Sequence, residues 1–119
     1  VVSYDLRFLS EEYGRTVAEI FAGEGFETVL SDGFCPTPAV SYATKYQKFD
    51  NGVVITASHN YGKYNGYKVK ESFGGAARTE FTKEIEKRIP QAEKLETKRG
   101  TPKLQDLITP YVEGAKSQV

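Results

Sequence analysis

An α/β domain is what the sequence predicts, three layers deep (α/β/α) around a mixed, mostly parallel sheet. Three observations carry that expectation. Short apolar, β-branched segments alternate with segments whose apolar residues recur at helical spacing, the order expected of βα units. The segment Gly52–Ala57 (GVVITA) is apolar enough throughout to be a central strand. The connection that follows it, Ser58–Asn65, is shorter than the roughly 12 residues that a parallel crossover needs, so the next strand returns antiparallel.

In chain order, Val1–Tyr4 reads as a first strand that stops at the polar Asp5. Ser10 is placed to cap a first helix, with Glu11 and Glu12 in the first turn, where the helix dipole favours negative charge. Val17, Ala18, Ile20 and Phe21 mark its apolar face, and Gly25 its left-handed C′ residue. Phe26–Leu30 (FETVL) reads as the second strand, and the loop Ser31–Pro36 follows. Thr37 and Pro38 suit the N-cap and N1 positions of a second helix reaching about Lys48. After Gly52–Ala57 and its polar loop, Gly66–Lys70 (GYKVK) is a further strand. Thr79 caps a third helix bearing Phe81, Ile85 and Ile89, which Pro90 ends. Gln91–Gly100 is charged and solvated, and Pro102 to Lys116 forms a last helix with Leu104, Leu107, Ile108 and Tyr111 on one face.

Composition narrows the function classes. The 119 residues fit one domain, residues 1–119, with little room for a second. Sixteen basic residues balance 16 acidic ones, so nothing draws the chain as a whole to nucleic acid or to an anionic membrane, and any anion site must be local. No apolar stretch is long enough to span a bilayer, and no secretory pattern opens the chain. The lone cysteine, Cys35, has no internal partner, which fits a reducing, cytoplasmic location; it reads as a small packing residue. Position 1 is Val and there is no methionine, so the chain is expected to be a fragment of a longer protein.

Chemistry concentrates in Thr56-Ala57-Ser58-His59-Asn60, just past the carboxyl end of the best strand, where ligand sites gather in α/β sheets. Ser58 offers a hydroxyl able to accept a phosphoryl group, and His59 and Asn60 offer hydrogen bonds. Gly62 and Gly66 allow close backbone approach, and Lys63, Lys68 and Lys70 supply positive charge. Lys68 and Lys70 fall on one side of their strand, and Tyr67 and Val69 on the other. The residues alone leave a plain alternative open: a turn whose Ser and Asn satisfy backbone and whose lysines are solvated. A hydrolase-type Ser–His pair fits poorly, because adjacent residues rarely align Oγ with an imidazole nitrogen and the G-x-S-x-G elbow is missing. A single His without a cysteine pair falls short of a zinc site.

Ile55-Thr56-Ala57-Ser58-His59-Asn60, followed by Tyr64-Asn65-Gly66-Tyr67-Lys68-Val69, resembles the active-serine signature of the α-D-phosphohexomutases, TASHNP…NGxK. Three further elements stand in the family's order. Tyr4-Asp5-Leu6-Arg7 with Ser10 resembles its D-x-R…S element, Pro36-Thr37-Pro38 its PTP element, and Phe73-Gly74-Gly75-Ala76 its glycine-rich segment. One departure is Tyr61, which stands where the motif has proline.

The resemblance implies the amino-terminal, phosphoserine-bearing domain of a phosphoglucomutase or phosphomannomutase, with the segment before it and the later domains lying outside this chain. It implies that Ser58 is carried as phosphoserine, that Lys68 is the general acid/base, and that His59 stands beside it. Arg7, Asn60 and Lys63 are then expected to bind substrate or phosphate, although the residues themselves favour Asp5 and Arg7 as a structural pair bracing the loop over a catalytic role. Mg²⁺ is expected on a phosphoserine oxygen of Ser58 together with aspartates of the next domain. A hexose phosphate is the implied substrate and a hexose 1,6-bisphosphate the intermediate. The isolated domain is expected to be inactive. The rival reading is a non-catalytic α/β module that binds sugar phosphate or is regulated through phosphoserine.

Overall fold

A computed structural model describes all of residues 1–119. Nine elements follow one another: β1 (Val2–Tyr4), α1 (Ser10–Gly23), β2 (Val29–Ser31), α2 (Thr37–Tyr46), β3 (Asn51–Ile55), β4 (Tyr67–Glu71), α3 (Thr79–Ala92), β5 (Lys103–Gln105) and α4 (Ile108–Lys116). The five strands form one sheet in the order β4-β3-β1-β2-β5, with β4 alone antiparallel to its neighbour. The expected mixed, mostly parallel sheet is what the chain builds.

Strand alternation divides the core in two. Val2, Tyr4, Leu30, Val53 and Ile55 face α1 and meet its Ala18. Val29, Val54, Cys35 and Leu107 lie on the opposite face with Ala39, Val40 and Ala43 of α2. Helix α1 buries Ser10, Gly14 and Ala18, a line of small residues one turn apart. A Cβ at Gly14 would come to 2.9 Å from the Tyr4 ring, so the absent side chain is what lets α1 lie close on β1. Of the expected apolar face, Ala18 is fully buried and Val17 packs against the same cluster, while Phe21 is left partly exposed and the small Ser10 and Gly14 complete the buried stripe.

The end of α1 matches expectation. Gly25 adopts φ 91°, and the N–H groups of Gly25 and Phe26 donate to the carbonyls of Ala22 and Phe21, a Schellman closure. That closure also explains why β2 begins later than the expected Phe26. Phe26 belongs to the helix end, its ring 5.7 Å from that of Phe21 and nearly perpendicular to it.

Four other boundaries move. Ser10 is the first residue of α1 and not its cap; Leu9 holds the cap position in a left-handed conformation, leaving the Ser10 hydroxyl for another use described below. Pro36 caps α2, so Thr37 and Pro38 each stand one position further into the helix than expected. In α3, Arg78 stands at the cap and the helix continues through Pro90 to Ala92. Pro90 has no N–H to give the Glu86 carbonyl, but Glu86 is on the exposed side of the helix, where water can meet that oxygen. The expected single helix from Pro102 is in fact a strand followed by a helix. Lys103–Gln105 pairs parallel with Val29–Ser31, and Asp106 Oδ1 then accepts the N–H groups of Ile108 and Thr109 to start α4.

On the far side of the sheet, β4 pairs with β3 over its full length, placing Lys68 opposite Val54 and Lys70 opposite Gly52. Val54 packs against α2, and a Cβ on Gly52 would meet Thr44, Val40 and the Lys70 stem, so both lysines lie on the α2 side as their spacing predicts. Past β4, Arg78 holds the buried Glu71 by a two-pronged ion pair at 2.8–3.1 Å and by its own N–H, pinning the Gly74-Gly75 turn to the strand end.

Candidate active site

The loop after β3 is organised from β1. Asp5 follows the last residue of β1, its N–H bonded to the Ile55 carbonyl of β3, so its side chain emerges beside the exit of β3. Its Oδ1 accepts the Arg7 N–H (2.9 Å) and the Ser10 hydroxyl (2.7 Å), and its Oδ2 accepts Arg7 Nε (3.1 Å). Arg7 then reaches across to the loop. Nη1 donates to the carbonyls of Tyr61 (2.9 Å) and Tyr64 (3.1 Å), and Nη2 to those of Ser58 (2.7 Å) and Asn60 (2.8 Å). A guanidinium has five N–H donors, and all five are used. A second strut comes from Asn65, whose Nδ2 donates to Ser10 Oγ (2.8 Å) while its Oδ1 accepts the Gly66 N–H.

Within this frame Ser58 is exposed and adopts φ 56°, a left-handed conformation that a residue with a side chain takes only when its surroundings hold it there. Its N–H donates to Thr56 Oγ1 (3.1 Å) and its carbonyl is bound by Arg7, so the backbone is gripped on both sides of the hydroxyl. His59 is exposed, and Asn60 lines a shallow cleft of about 630 Å³ with Leu6, Phe8, Phe34, Pro36 and Gly62. Leu6, Phe8, Phe34 and Tyr61 are 53–82% exposed, an apolar collar around this end of the sheet. Lys63 lies on the loop with its Nζ 5.1 Å from the Tyr64 ring centre. Lys68 is exposed on β4, beside Lys70, whose ammonium loses its proton more readily than usual through burial and the neighbouring Lys68 charge.

The loop thus brings Ser58, His59, Asn60 and Lys63 together, with Lys68 on the adjoining strand. With every guanidinium donor committed to Asp5 and the loop carbonyls, Arg7 stands in the bracing arrangement that was also expected of it. Thr56, Ser10 and Asn65 stand in the motifs that carry the resemblance, but their hydrogen-bonding parts in holding the loop were not read from the sequence. No three His, Cys, Asp or Glu side chains are grouped to hold a metal ion.

Electrostatics matches the geometry. Burial pushes the Asp5 carboxyl up, but the Arg7 N–H, the hydroxyls of Ser10 and Thr56 and the Arg7 charge outweigh it and hold its pKa below the ordinary value. A carboxylate with a depressed folded-state pKa stabilises the fold above its unfolded pKa, and that contribution is lost as the pH falls through the folded value. The Arg7 Nε–H resonance should accordingly be protected at neutral pH and lose protection only as the pH falls through the depressed Asp5 value, below the ordinary aspartate range. In Asp5→Asn that acid step should disappear. An unchanged acid step in Asp5→Asn would show that the brace does not depend on the carboxylate.

Comparison with known proteins decides the family. The family model described as phosphoglucomutase/phosphomannomutase, alpha/beta/alpha domain I, matches residues 1–96. This chain belongs to that family. Domain I here is 33% identical over 93 residues to a phosphoglucomutase of Staphylococcus saprophyticus, covering 78% of this chain and 17% of that protein. It is 35% identical to a phosphoglucomutase of Komagataeibacter xylinus, covering 94% of this chain and 24% of that protein. A crystal structure assigned as a phosphomannomutase from Thermus thermophilus superposes with a TM-score of 0.92 at 36% identity, over 99% of this chain and 26% of that one. The chain thus spans about a quarter or less of the length of these relatives.

Proposed function

We propose that this domain I carries the phosphoryl group of a phosphohexomutase on Ser58. The observation that supports this best is the Ser58 backbone: exposed, left-handed and held on both sides at the carboxyl end of β3. A positioned hydroxyl of this kind suits a group that must give and take a phosphoryl repeatedly, because phosphoryl transfer depends on alignment and charge neutralisation more than on covalent activation.

In the forward half-reaction the bond from phosphorus to Ser58 Oγ breaks as a bond forms to a hydroxyl oxygen of a hexose phosphate. The hydroxyl proton passes through Lys68 to the departing Ser58 Oγ, with His59 beside the transferring group. The product is a hexose 1,6-bisphosphate, which turns around and returns its other phosphoryl to Ser58 Oγ. The Ser58 hydroxyl proton passes back through Lys68 to the sugar oxygen left behind, so the sum interconverts hexose 1-phosphate and hexose 6-phosphate. Asn60 and Lys63 contact phosphate from the loop, and Arg7 serves the reaction by keeping the loop in shape.

Mg²⁺ fits this site through Ser58 once it bears phosphate, a hard oxygen donor of the kind the ion prefers. The nearest carboxylate in the loop network, Asp5, is already committed to Arg7 and Ser10, so carboxylate ligands come from the next domain of the enzyme. When bound, the ion neutralises charge on the transferring phosphoryl. No helix is long and apolar enough to cross a membrane, and the unpaired Cys35 suits a cytoplasmic enzyme of sugar phosphate metabolism.

The test is steady-state conversion of glucose 1-phosphate and mannose 1-phosphate, by the full-length enzyme and by residues 1–119 alone. The full enzyme should interconvert at least one pair, and the domain alone neither, because it lacks the partners that grip the far end of the substrate. Failure of the full enzyme on both sugars would favour a non-catalytic module. Turnover by the purified domain alone would show that the other domains are dispensable.

A further inference from the structure

We infer that Thr56 is a positioning residue: by accepting the Ser58 N–H, its hydroxyl oxygen holds the carrier serine in the left-handed conformation that aims Ser58 Oγ. This inference rests on Ser58 being the phosphoryl carrier and names the side chain that sets the direction of the carrying oxygen.

Ser58 stands second in a four-residue turn, Ala57 to Asn60, closed by the Asn60 N–H on the Ala57 carbonyl at 3.1 Å. Glycine is the usual residue where such a position needs a positive φ, and Ser58 adopts φ 56° there. A residue with a side chain leaves this region unless its neighbours hold it. Two contacts hold the Ser58 backbone. Arg7 takes the carbonyl, but the same guanidinium also holds the carbonyls of Asn60, Tyr61 and Tyr64, so it shapes the loop as a whole. The bond from the Ser58 N–H to Thr56 Oγ1, at 3.1 Å, acts on Ser58 alone. It spans two residues, with the threonine side chain standing in for a backbone acceptor.

Thr56 suits this part because it belongs to the sheet and not to the loop. It is 6% exposed, and its own N–H donates to the Gly66 carbonyl at 3.0 Å, one step beyond the last β3–β4 pair, Ile55 with Tyr67. The approach is close: a Cβ on Gly66 would lie 2.9 Å from the Thr56 carbonyl oxygen. With Oγ1 accepting from Ser58, the hydroxyl proton is left for Asp5. Against the upward push of burial, that contact helps to hold the Asp5 carboxyl below its ordinary pKa. One buried hydroxyl therefore ties the carrier serine both to the end of β3 and to the carboxylate that anchors Arg7. Its effect falls on alignment, which phosphoryl transfer needs and ground-state binding of the sugar phosphate does not.

The experiment compares Thr56→Val, which keeps the branched shape and removes the hydroxyl, with Thr56→Ser, which keeps the hydroxyl. In the full-length enzyme Thr56→Val should lower kcat about 10²-fold with KM little changed, and Thr56→Ser should recover most of that loss. The Ser58 amide of the 119-residue chain gives a readout that a merely structural role would not move. It should be protected from exchange in wild type and in Thr56→Ser. In Thr56→Val it should lose protection while the β3 amides stay where they were. A wild-type chain whose Ser58 amide exchanges freely would overturn the proposal before any variant is made. A Thr56→Val enzyme with wild-type kcat would also overturn it, and so would equal losses in Thr56→Val and Thr56→Ser. Phosphate labelling by a hexose 1,6-bisphosphate separates this from the carrier reading. Label on a residue other than Ser58 in the wild-type enzyme would remove the carrier role and leave the amide result intact. Label on Ser58 at an undiminished rate in Thr56→Val would remove the positioning role alone.

Discussion

Ser58→Ala in the full-length enzyme should abolish mutase turnover, with a loss greater than about 10⁴-fold, as expected when a covalent relay is removed. The substitution takes away one oxygen and little else. The Ser58 N–H bond to Thr56 and the carbonyl bond to Arg7 are both backbone contacts, which Ala retains. Alanine also tolerates the left-handed conformation about as well, or as poorly, as serine. The variant should therefore fold, keep its affinity for sugar phosphate, and fail in both half-reactions because neither has a group to receive or deliver the phosphoryl. Wild-type turnover in a verified Ser58→Ala enzyme would remove Ser58 from the mechanism.

Lys68→Met should cost about 10²–10⁴-fold in turnover, the usual contribution of general acid/base catalysis, while phosphate on Ser58 stays detectable. Register supports a clean test. Lys68 pairs through its backbone with Val54 in the β3–β4 ladder, and its side chain is exposed, so methionine disturbs neither the sheet nor the core. Lys63→Met is the comparison. Lys63 gives the phosphate a charge from the exposed loop, against the Tyr64 ring, and moves no proton, so its loss should cost far less than that of Lys68. Equal damage from Lys63→Met and Lys68→Met would contradict the roles assigned to them.

Much of this was legible from the residues in order. The run GVVITA announced an interior strand, though the middle of the sheet falls to β1, and the short connection to GYKVK announced its antiparallel partner; the register of Val54 on Lys68 is the result. Gly25 announced the end of α1 because only the left-handed region closes a helix in that way. The misreadings share a cause, which is that tertiary contacts outrank local preference. Lys103–Gln105 has three residues and no apolar alternation, and it is a strand because the edge of β2 is there to pair with it. Ser10 has a good cap side chain, but its hydroxyl is drawn instead to Asp5 and Asn65. Arg7 shows the same limit at the site. The resemblance implied phosphate binding and the nearby Asp5 a brace, while the loop carbonyls that claim it lie 51–57 residues away in sequence. The motif located the chemistry; only the folded chain shows which groups remain free to perform it.

The most direct test of Ser58 as phosphoryl carrier is mass spectrometry of the full-length enzyme after incubation with a hexose 1,6-bisphosphate. Intact mass gives the number of phosphates, and peptide mapping gives the residue. One phosphate per chain on Ser58, discharged again on addition of hexose phosphate, is the result expected. Phosphate on a different residue, or none at all in an enzyme that nevertheless turns over, would contradict the central claim.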